Sequence, residues 1–419
     1  MKKHYLILIL SLLATVFAPS ARGELAGDPD DPDFVHATLL VAGPGQAMYQ
    51  VTGHTMIRME CPAAGLDNIF SFENDGRGTL GALFTQVNGR FLVADAKTYL
   101  QQFSDEGREV VAFPLNLSPR HKQRLWQVLD SLTTTGEHPF NIRQESCSGY
   151  ILGAIDTAIV PAKIAVIDGN AVGKTNAEAL DSASLAEGPW RNMLIHICVG
   201  EDNNIADNLY NQAAPTNIYN DRNHFYIVEE GRMAQPLFAD TIGELTPPRT
   251  GFFTPVAVAV GCLLLGVLCL VLGFLGRGRG FVGAVRWTVA ALVAIAGILL
   301  AVLLSTPSAI GGWANWNFVL LNPVPLVLLI YTVRSGRDTG ARSQGGADTS
   351  RSRRGAVSDG KQRGVDGVGG ACARWWRVLV GCWAVYALVL PMLTASIVPA
   401  MSIFALAAAL IFLPLCRYK

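Results

Sequence analysis

Two residues combine reactive side chains with surroundings that would activate them: Cys147 in Glu145-Ser146-Cys147-Ser148-Gly149, and His54 in Gly53-His54-Thr55. A cysteine reacts as its thiolate, so what matters is whatever lowers its pKa. After Cys147 the residues Tyr150, Ile151, Ala154, Ile155 and Ala158 recur at helical spacing, which predicts that Cys147 lies in the first turn of a helix. There the free backbone N–H groups and the positive end of the helix dipole favour a thiolate. A histidine on a facing strand would hold that thiolate as an ion pair and later pass its proton to a leaving group. Spacing alone is weakly specific, because a buried cysteine is commonly inert and a lone histidine is commonly a surface or core residue.

Other candidates carry less. Arg58, two residues along a strand from Met56, would suit a phosphate or carboxylate of a substrate, or simply be solvated. His196 and Cys198 are two apart in a run that reads as a strand, Met193–Val199, and would share a face there. No further metal ligand lies close by in the sequence, so no metal and no cofactor is expected. Asp168-Gly169-Asn170-Ala171-Val172-Gly173-Lys174-Thr175 falls one position short of a phosphate loop and reads as a surface turn. His36, His121, His138 and His224 read as surface or structural residues.

The elements that must position His54 and Cys147 have an α+β pattern. Ala37–Val41 is a short apolar run ending at Gly43-Pro44-Gly45. Thr55–Met59 alternates, with Met56 and Arg58 on one side and Thr55, Ile57 and Met59 on the other, which predicts a strand. Asn68–Phe72 and Glu109–Leu115 are further strand candidates. Ser118-Pro119 caps and starts a helix with Leu125, Val128, Leu129 and Leu132 at helical spacing. Lys163–Ile167 and His224–Val228 complete the expected strands.

The second half is different in kind. Half of the 419 residues are hydrophobic, yet before Phe252 the only long apolar run is Tyr5–Phe17. Beyond it, Thr254–Leu275, Phe281–Leu304 and Asn317–Val333 each approach the roughly twenty residues that cross a hydrocarbon layer. Val378–Cys416 is long enough for two more spans, joined near Ser396 between Pro391 and Pro399. Between them the stretch 334–377 is rich in Gly, Ser and Arg and reads as a disordered basic loop. Five spans are therefore expected. Arg277 and Arg279, the 334–377 loop, and Arg417 with Lys419 alternate with loops that carry no positive charge. Positive loops stay in the cytoplasm, which puts the chain's end inside and residues 24–251 outside.

The start agrees. Lys2-Lys3, the short apolar core and Ala21-Arg22-Gly23 have the three parts of a secretory signal. The expected organisation is a signal at 1–23, an exported domain at 24–251, three spans within 252–333, the basic loop 334–377, and two spans with a short tail at 378–419. Zero net charge argues against a nucleic-acid binder. Of eight cysteines, three (Cys61, Cys147, Cys198) lie in the exported part, too few for a disulfide-built scaffold. If Cys147 must stay free, any bridge would join Cys61 to Cys198.

A resemblance sharpens this reading. Leu39-Leu40-Val41-Ala42-Gly43-Pro44-Gly45, Tyr49 and Gly53-His54-Thr55-Met56-Ile57-Arg58 resemble the opening motif of the Lnb family of bacterial lipoprotein N-acyltransferases. The likeness continues through Asp67-Asn68-Ile69-Phe70-Ser71-Phe72, Gly89-Arg90-Phe91, Leu115-Asn116-Leu117-Ser118 and Cys147. In the apolar half it includes Asn315-Trp316-Asn317-Phe318-Val319-Leu320-Leu321-Asn322-Pro323, at the mouth of a span. Ser146 and Ser71 stand where the family tends to have Asn, which leaves the imidazole-orienting residue open between Glu73 and Ser71. The His-first, Cys-later order also resembles circularly permuted papain-like (NlpC/P60-like) folds, with the thiol on a helix and the histidine on a sheet.

The resemblance implies a membrane enzyme of the bacterial inner membrane whose periplasmic domain uses Cys147 as nucleophile and His54 as base. The implied donor is a phospholipid or lipoprotein acyl ester, and the implied acceptor is the N-terminal amine of a diacylated lipoprotein, both held among membrane lipids. The same dyad would also serve a periplasmic hydrolase of cell-wall peptide or lipid. A non-enzymatic envelope receptor or scaffold would leave both residues idle.

Overall fold

The computed structural model describes residues 31, 34–45, 50, 52–74, 87–140, 146–169, 188–199, 214–246, 253–305, 315–345, 363–393 and 399–417. The expected signal at 1–23, residues 170–175 of the phosphate-loop-like run, the middle of the basic stretch (346–362) and the turn at Ser396 lie outside these.

Six strands form the main sheet: β1 (His36–Ala42), β2 (His54–Cys61), β3 (Leu66–Asn74), β4 (Val87–Asp95), β5 (Val110–Pro114) and β6 (Glu137–Phe140). Their order is β5-β1-β2-β3-β4-β6, and every pairing is antiparallel. Helices cover both faces, which explains why Leu39–Ala42 of β1 are buried on both sides rather than alternating. On one face α1 (Ala96–Asp105) packs Phe103 and Tyr99 against Leu40, Ala42, Met56 and Ile69. On the other lie α2 (Pro119–Thr134) and α3 (Cys147–Ile159). Their Leu125, Leu129, Ile151, Leu152 and Ile155 fill a larger core with Leu39, Ile57, Phe70, Phe72 and Phe113. Each such side chain, wholly removed from water, stabilises the fold by about 1.5–3 kcal/mol.

The chain then makes β7 (Lys163–Val166), α4 (Pro189–Val199), α5 (Pro215–Asn220), β8 (Phe225–Val228) and β9 (Gln235–Pro236). The last three strands form a small sheet of their own, β7-β8-β9. The domain is α+β, as its pattern predicts.

One expectation fails. Residues 193–199 are the end of helix α4, not a strand. Asn192, Met193, Ile195 and His196 are buried while Trp190 and Leu194 are exposed, a helical spacing. A short apolar run does not by itself distinguish the two forms; Pro189 at the first helical position was the signal for a helix. Two residues apart on a helix means about 200° of rotation, so His196 and Cys198 do not share a face. Nor do Cys61 and Cys198 bridge: both are free thiols, as is Cys147. Cys61 closes β2 inside the main core, whereas Cys198 sits on α4 beside the membrane helices.

The apolar half consists of α6 (Pro255–Phe274), α7 (Arg279–Ser305), α8 (Asn317–Leu320), α9 (Val324–Gly345), α10 (Arg363–Leu388), α11 (Leu390–Leu393) and α12 (Pro399–Phe412). Among the described residues, five segments are long and apolar enough to cross a membrane: Pro255–Phe274, Arg279–Leu303, Asn317–Arg334, Cys372–Met392 and Pro399–Cys416. Helices α9 and α10 run past their apolar parts, to Gly345 and from Arg363. Helix therefore extends into both ends of the stretch expected to be a disordered loop over 334–377, since these flanks lack the prolines that would stop it.

The third span is broken between α8 and α9 at Leu321-Asn322-Pro323. Backbone freed inside a membrane must find partners. Here the Val319 carbonyl accepts from Asn322 Nδ2 (2.8 Å) and Trp383 Nε1 (3.2 Å). Gly297 of α7 lets the break approach, because a Cβ there would stand 2.6 Å from the Asn322 Cα.

Candidate active site

Cys147 is the first residue of α3. Ser146 is the N-cap, in extended conformation, and its hydroxyl accepts from the Gly149 N–H at 3.2 Å. Serine thus performs the capping that asparagine would perform at this position, so its substitution costs no local hydrogen bond.

His54 is delivered by a turn that requires glycine. Gly53 has φ +87°, and a Cβ there would sit 2.5 Å from the Ala42 carbonyl oxygen. Its N–H donates to Gln50 O at 3.0 Å. His54 then opens β2, paired with Ala42. Its ring stacks on Phe103 of α1, centroids 6.3 Å apart and planes 18° apart.

Behind the ring is a chain of oxygens. His54 Nε2 is 2.7 Å from Ser71 Oγ and 3.3 Å from Glu73 Oε1. Ser71 Oγ lies 2.8 Å from Glu73 Oε1, and the Tyr99 hydroxyl lies 2.9 Å from Ser71 Oγ and in a very short contact with Glu73. Counting protons assigns the donors. A carboxylate only accepts, and each hydroxyl has one proton. Ser71 and Tyr99 both donate to Glu73, so Ser71 Oγ accepts from His54 Nε2–H.

Sulfur and ring are hydrogen-bonded, and the Thr55 backbone N–H adds a second bond to sulfur. Burial pushes the Cys147 thiol up and Glu73 does so slightly, but the His54 charge and these two hydrogen bonds outweigh them and hold it below the ordinary thiol value. For His54, burial works against the proton, yet Glu73 and Cys147 more than reverse this and raise it to about 10. Burial alone would raise Glu73; His54, Tyr99 and Ser71 bring it down to about 2. Burial, with Glu73 alongside, lifts Tyr99 far above the ordinary phenol, so it remains a donor. These shifts all favour the charged forms: a thiolate at Cys147, an imidazolium at His54 and a carboxylate at Glu73. Such an arrangement can attack a carbonyl carbon through sulfur and protonate the departing group.

A buried contact sets the spacing. Thr55 and Ser148, each adjacent to a reactive residue, join their hydroxyls at 2.9 Å.

The structure brings together Cys147, His54, Ser71 and Glu73; the last two, alternatives in the sequence, act in series. It does not bring in Arg58. The Arg58 guanidinium forms two 2.7 Å bonds to Asp67 and lies 3.0 Å from Glu60, about 13 Å along the strand from His54. Its charge is already paired with these two carboxylates. Sequence reasoning missed Tyr99, Phe103, Thr55 and Ser148. Ala96, Tyr99, Leu100 and Phe103 at helical spacing were the available signal for the first two.

The model of the family described as the Lnb N-terminal periplasmic domain matches residues 28–168. No curated protein matches the chain, and no solved structure does. A segment similar to a periplasmic domain, followed among the described residues by five helices long and apolar enough to cross a membrane, supports a multi-pass membrane protein. The matched segment, which carries His54, Ser71, Glu73, Tyr99 and Cys147, is thus similar to the Lnb N-terminal periplasmic domain.

Proposed function

We propose that the protein is a thiol acyltransferase of the bacterial inner membrane, acting on lipoproteins. The observation that carries this reading is the line Cys147–His54–Ser71–Glu73 inside a domain of the Lnb type, joined to a membrane bundle. The Cys147 thiolate attacks the carbonyl carbon of a lipid ester. The ester C–O bond breaks, the His54 imidazolium protonates the departing alkoxide, and a lysolipid leaves. The acyl group remains on sulfur as a thioester.

The α-amine of a diacylated lipoprotein then attacks that thioester. His54, now neutral, accepts the amine's proton as the amide forms and the thiolate is regenerated. A thioester suits the second step because thiolate is a better leaving group than alkoxide. Glu73 and Ser71 orient the imidazole and support its charge through both steps, as does the third member of other nucleophile–base triads.

The domain also reads as a permuted papain-like fold, with the thiol opening a helix and the histidine earlier in the chain on the sheet. Anchoring keeps donor and acceptor at high effective concentration near the site.

The test is transfer itself. Cells lacking other N-acyltransferases are complemented with this chain, and lipoprotein N-terminal peptides are weighed by mass spectrometry. Gain of one acyl chain, dependent on Cys147, is expected; unmodified N-termini with hydrolysed lipid or peptidoglycan products would instead make it a hydrolase.

A further inference from the structure

Helix α4 belongs to the exported part by sequence but packs with the membrane helices: Met193 and Ile197 lie in the same apolar cluster as Ala259, Leu320, Trp383 and Tyr386. The last carbonyls of a helix have no partners within it. In α4 two of these are taken by side chains from the mouth of the third span. Asn315 Nδ2 donates to Ile197 O at 2.6 Å, and Asn317 Nδ2 donates to His196 O at 3.2 Å.

Both asparagines are themselves held. Asn317 is 2% exposed, and its Oδ1 accepts from the Tyr386 hydroxyl of α10 at 2.5 Å. Asn315 Oδ1 accepts from the Asn317 backbone N–H at 3.0 Å. Near the other end of α4, Trp190 Nε1 donates to Phe253 O at 2.8 Å, at the entry to the first span. Arg191 donates to the Gly45 carbonyl. Gly45 belongs to the loop between β1 and β2 that delivers His54, and its N–H shares the Gln50 carbonyl with that of Gly53.

We infer that α4 is a strut that fixes the periplasmic domain on the membrane bundle. Asn315 and Asn317 clamp its C-terminal end, and Arg191 fastens its N-terminal end to the loop beside His54. About 9 Å of helix separates Arg191 from Ile197, and a helix that short is stiff. Its consequence for chemistry rests on the proposed function: the reactive thiol works at a fixed place relative to lipid-anchored substrates. Asn315, Asn317 and Arg191 are positioning residues and touch no reacting atom.

The experiment uses the full chain in phospholipid vesicles, with Asn317→Ala, Asn315→Ala, Arg191→Ala and Arg191→Lys. Amide hydrogen exchange in α4 is the readout independent of activity. Asn317→Ala and Asn315→Ala should speed exchange at 192–197 at least tenfold while leaving β3 unchanged. No change there overturns the strut. Exchange that rises everywhere in Asn317→Ala would mean misfolding of that variant, and Asn315→Ala then decides: a tenfold rise confined to α4 supports the strut, and its absence overturns it.

Two activity arms follow. Acyl transfer from vesicle phospholipid to a lipopeptide should fall at least tenfold in the alanine variants and recover in Arg191→Lys. Alkylation of Cys147 by water-soluble iodoacetamide should stay within twofold. Equal loss in both arms would overturn positioning in favour of damage to the site. If the wild type transfers no acyl group while the exchange result holds, the proposed function fails and the strut survives.

Discussion

The hydroxyls of Thr55 and Ser148 meet at 2.9 Å in a fully buried contact, one residue beyond His54 on β2 and one beyond Cys147 on α3. This bond sets the distance between the strand that supplies the imidazole and the helix that supplies the thiol. Removing one hydroxyl should leave the other buried without a partner, at a cost of about 1–3 kcal/mol. Thr55→Val and Ser148→Ala should each lower the melting temperature of the detergent-solubilised chain. The double variant should recover much of the loss. Fully additive losses would mean that the two hydroxyls do not interact.

Cys147→Ser should reduce N-acylation to background without affecting membrane insertion. A hydroxyl's pKa is far above a thiol's, so the charges that ionise sulfur leave oxygen protonated. His54→Ala should lose about 10²–10⁴-fold, the usual range for a positioned acid–base group. Cys61→Ser and Cys198→Ser should retain most activity. Mass spectra of lipoprotein N-termini provide the check, and near-normal product from Cys147→Ser would end the thioester mechanism.

Reactivity should separate the exported thiols by pH. His54 lowers the Cys147 value, whereas burial pushes Cys198 up to about 11. Iodoacetamide should therefore modify Cys147 at pH values below the ordinary thiol range, and Cys198 only well above it. Peptide mapping across a pH series measures both. A Cys147 profile that rises only above about 8.5, the value of a free thiol, would contradict the ion pair.

Glu73→Gln keeps the shape of the side chain and removes the charge that supports the imidazolium. His54 should then lose its proton at lower pH, and the alkaline limb of the activity profile should move down from about 10. The charge also contributes to stability. His54, raised from 6.5, contributes fully below 6.5 and loses its contribution as pH climbs towards about 10. Glu73, lowered from 4.5, contributes fully above 4.5 and loses its contribution as pH falls towards about 2. Melting temperature against pH should fall on the acid side in the wild type as Glu73 is protonated, and this fall should be smaller in Glu73→Gln.

Tyr99→Phe removes the phenol that donates to Glu73 and leaves the ring that packs on Phe103. Glu73 should become easier to protonate and the imidazole less well held, at a cost of about tenfold in rate, or about 1.4 kcal/mol. A change in rate with no movement of either pH limb would instead assign Tyr99 to packing alone.

A reporter active only outside the cytoplasm should be active when fused after Asp240 and silent when fused within Ser343–Ser358. The reverse pattern would overturn the orientation read from the basic loops.

Local chemistry was enough to find some of this in the sequence. The run of apolar residues after Cys147 has one stable arrangement, a helix with that face buried, so the thiol's place in its first turn was legible. The five apolar stretches were legible because a membrane span is set by length and composition within one segment. What could not be read were contacts between elements. Ser71 and Glu73 alternate on β3 like any strand residues, and only the register of β2 against β3 puts them behind the imidazole. Tyr99 joins them because α1 covers that face of the sheet. Arg58 looked available until Asp67, nine residues on, turned back beside it. The 193–199 segment, apolar and rich in β-branched residues, is a helix because its last carbonyls find Asn315 and Asn317 more than a hundred residues away. Patterning fixes what a segment buries; which partner it is buried against depends on how distant segments pack, and in this chain that packing assembles the site.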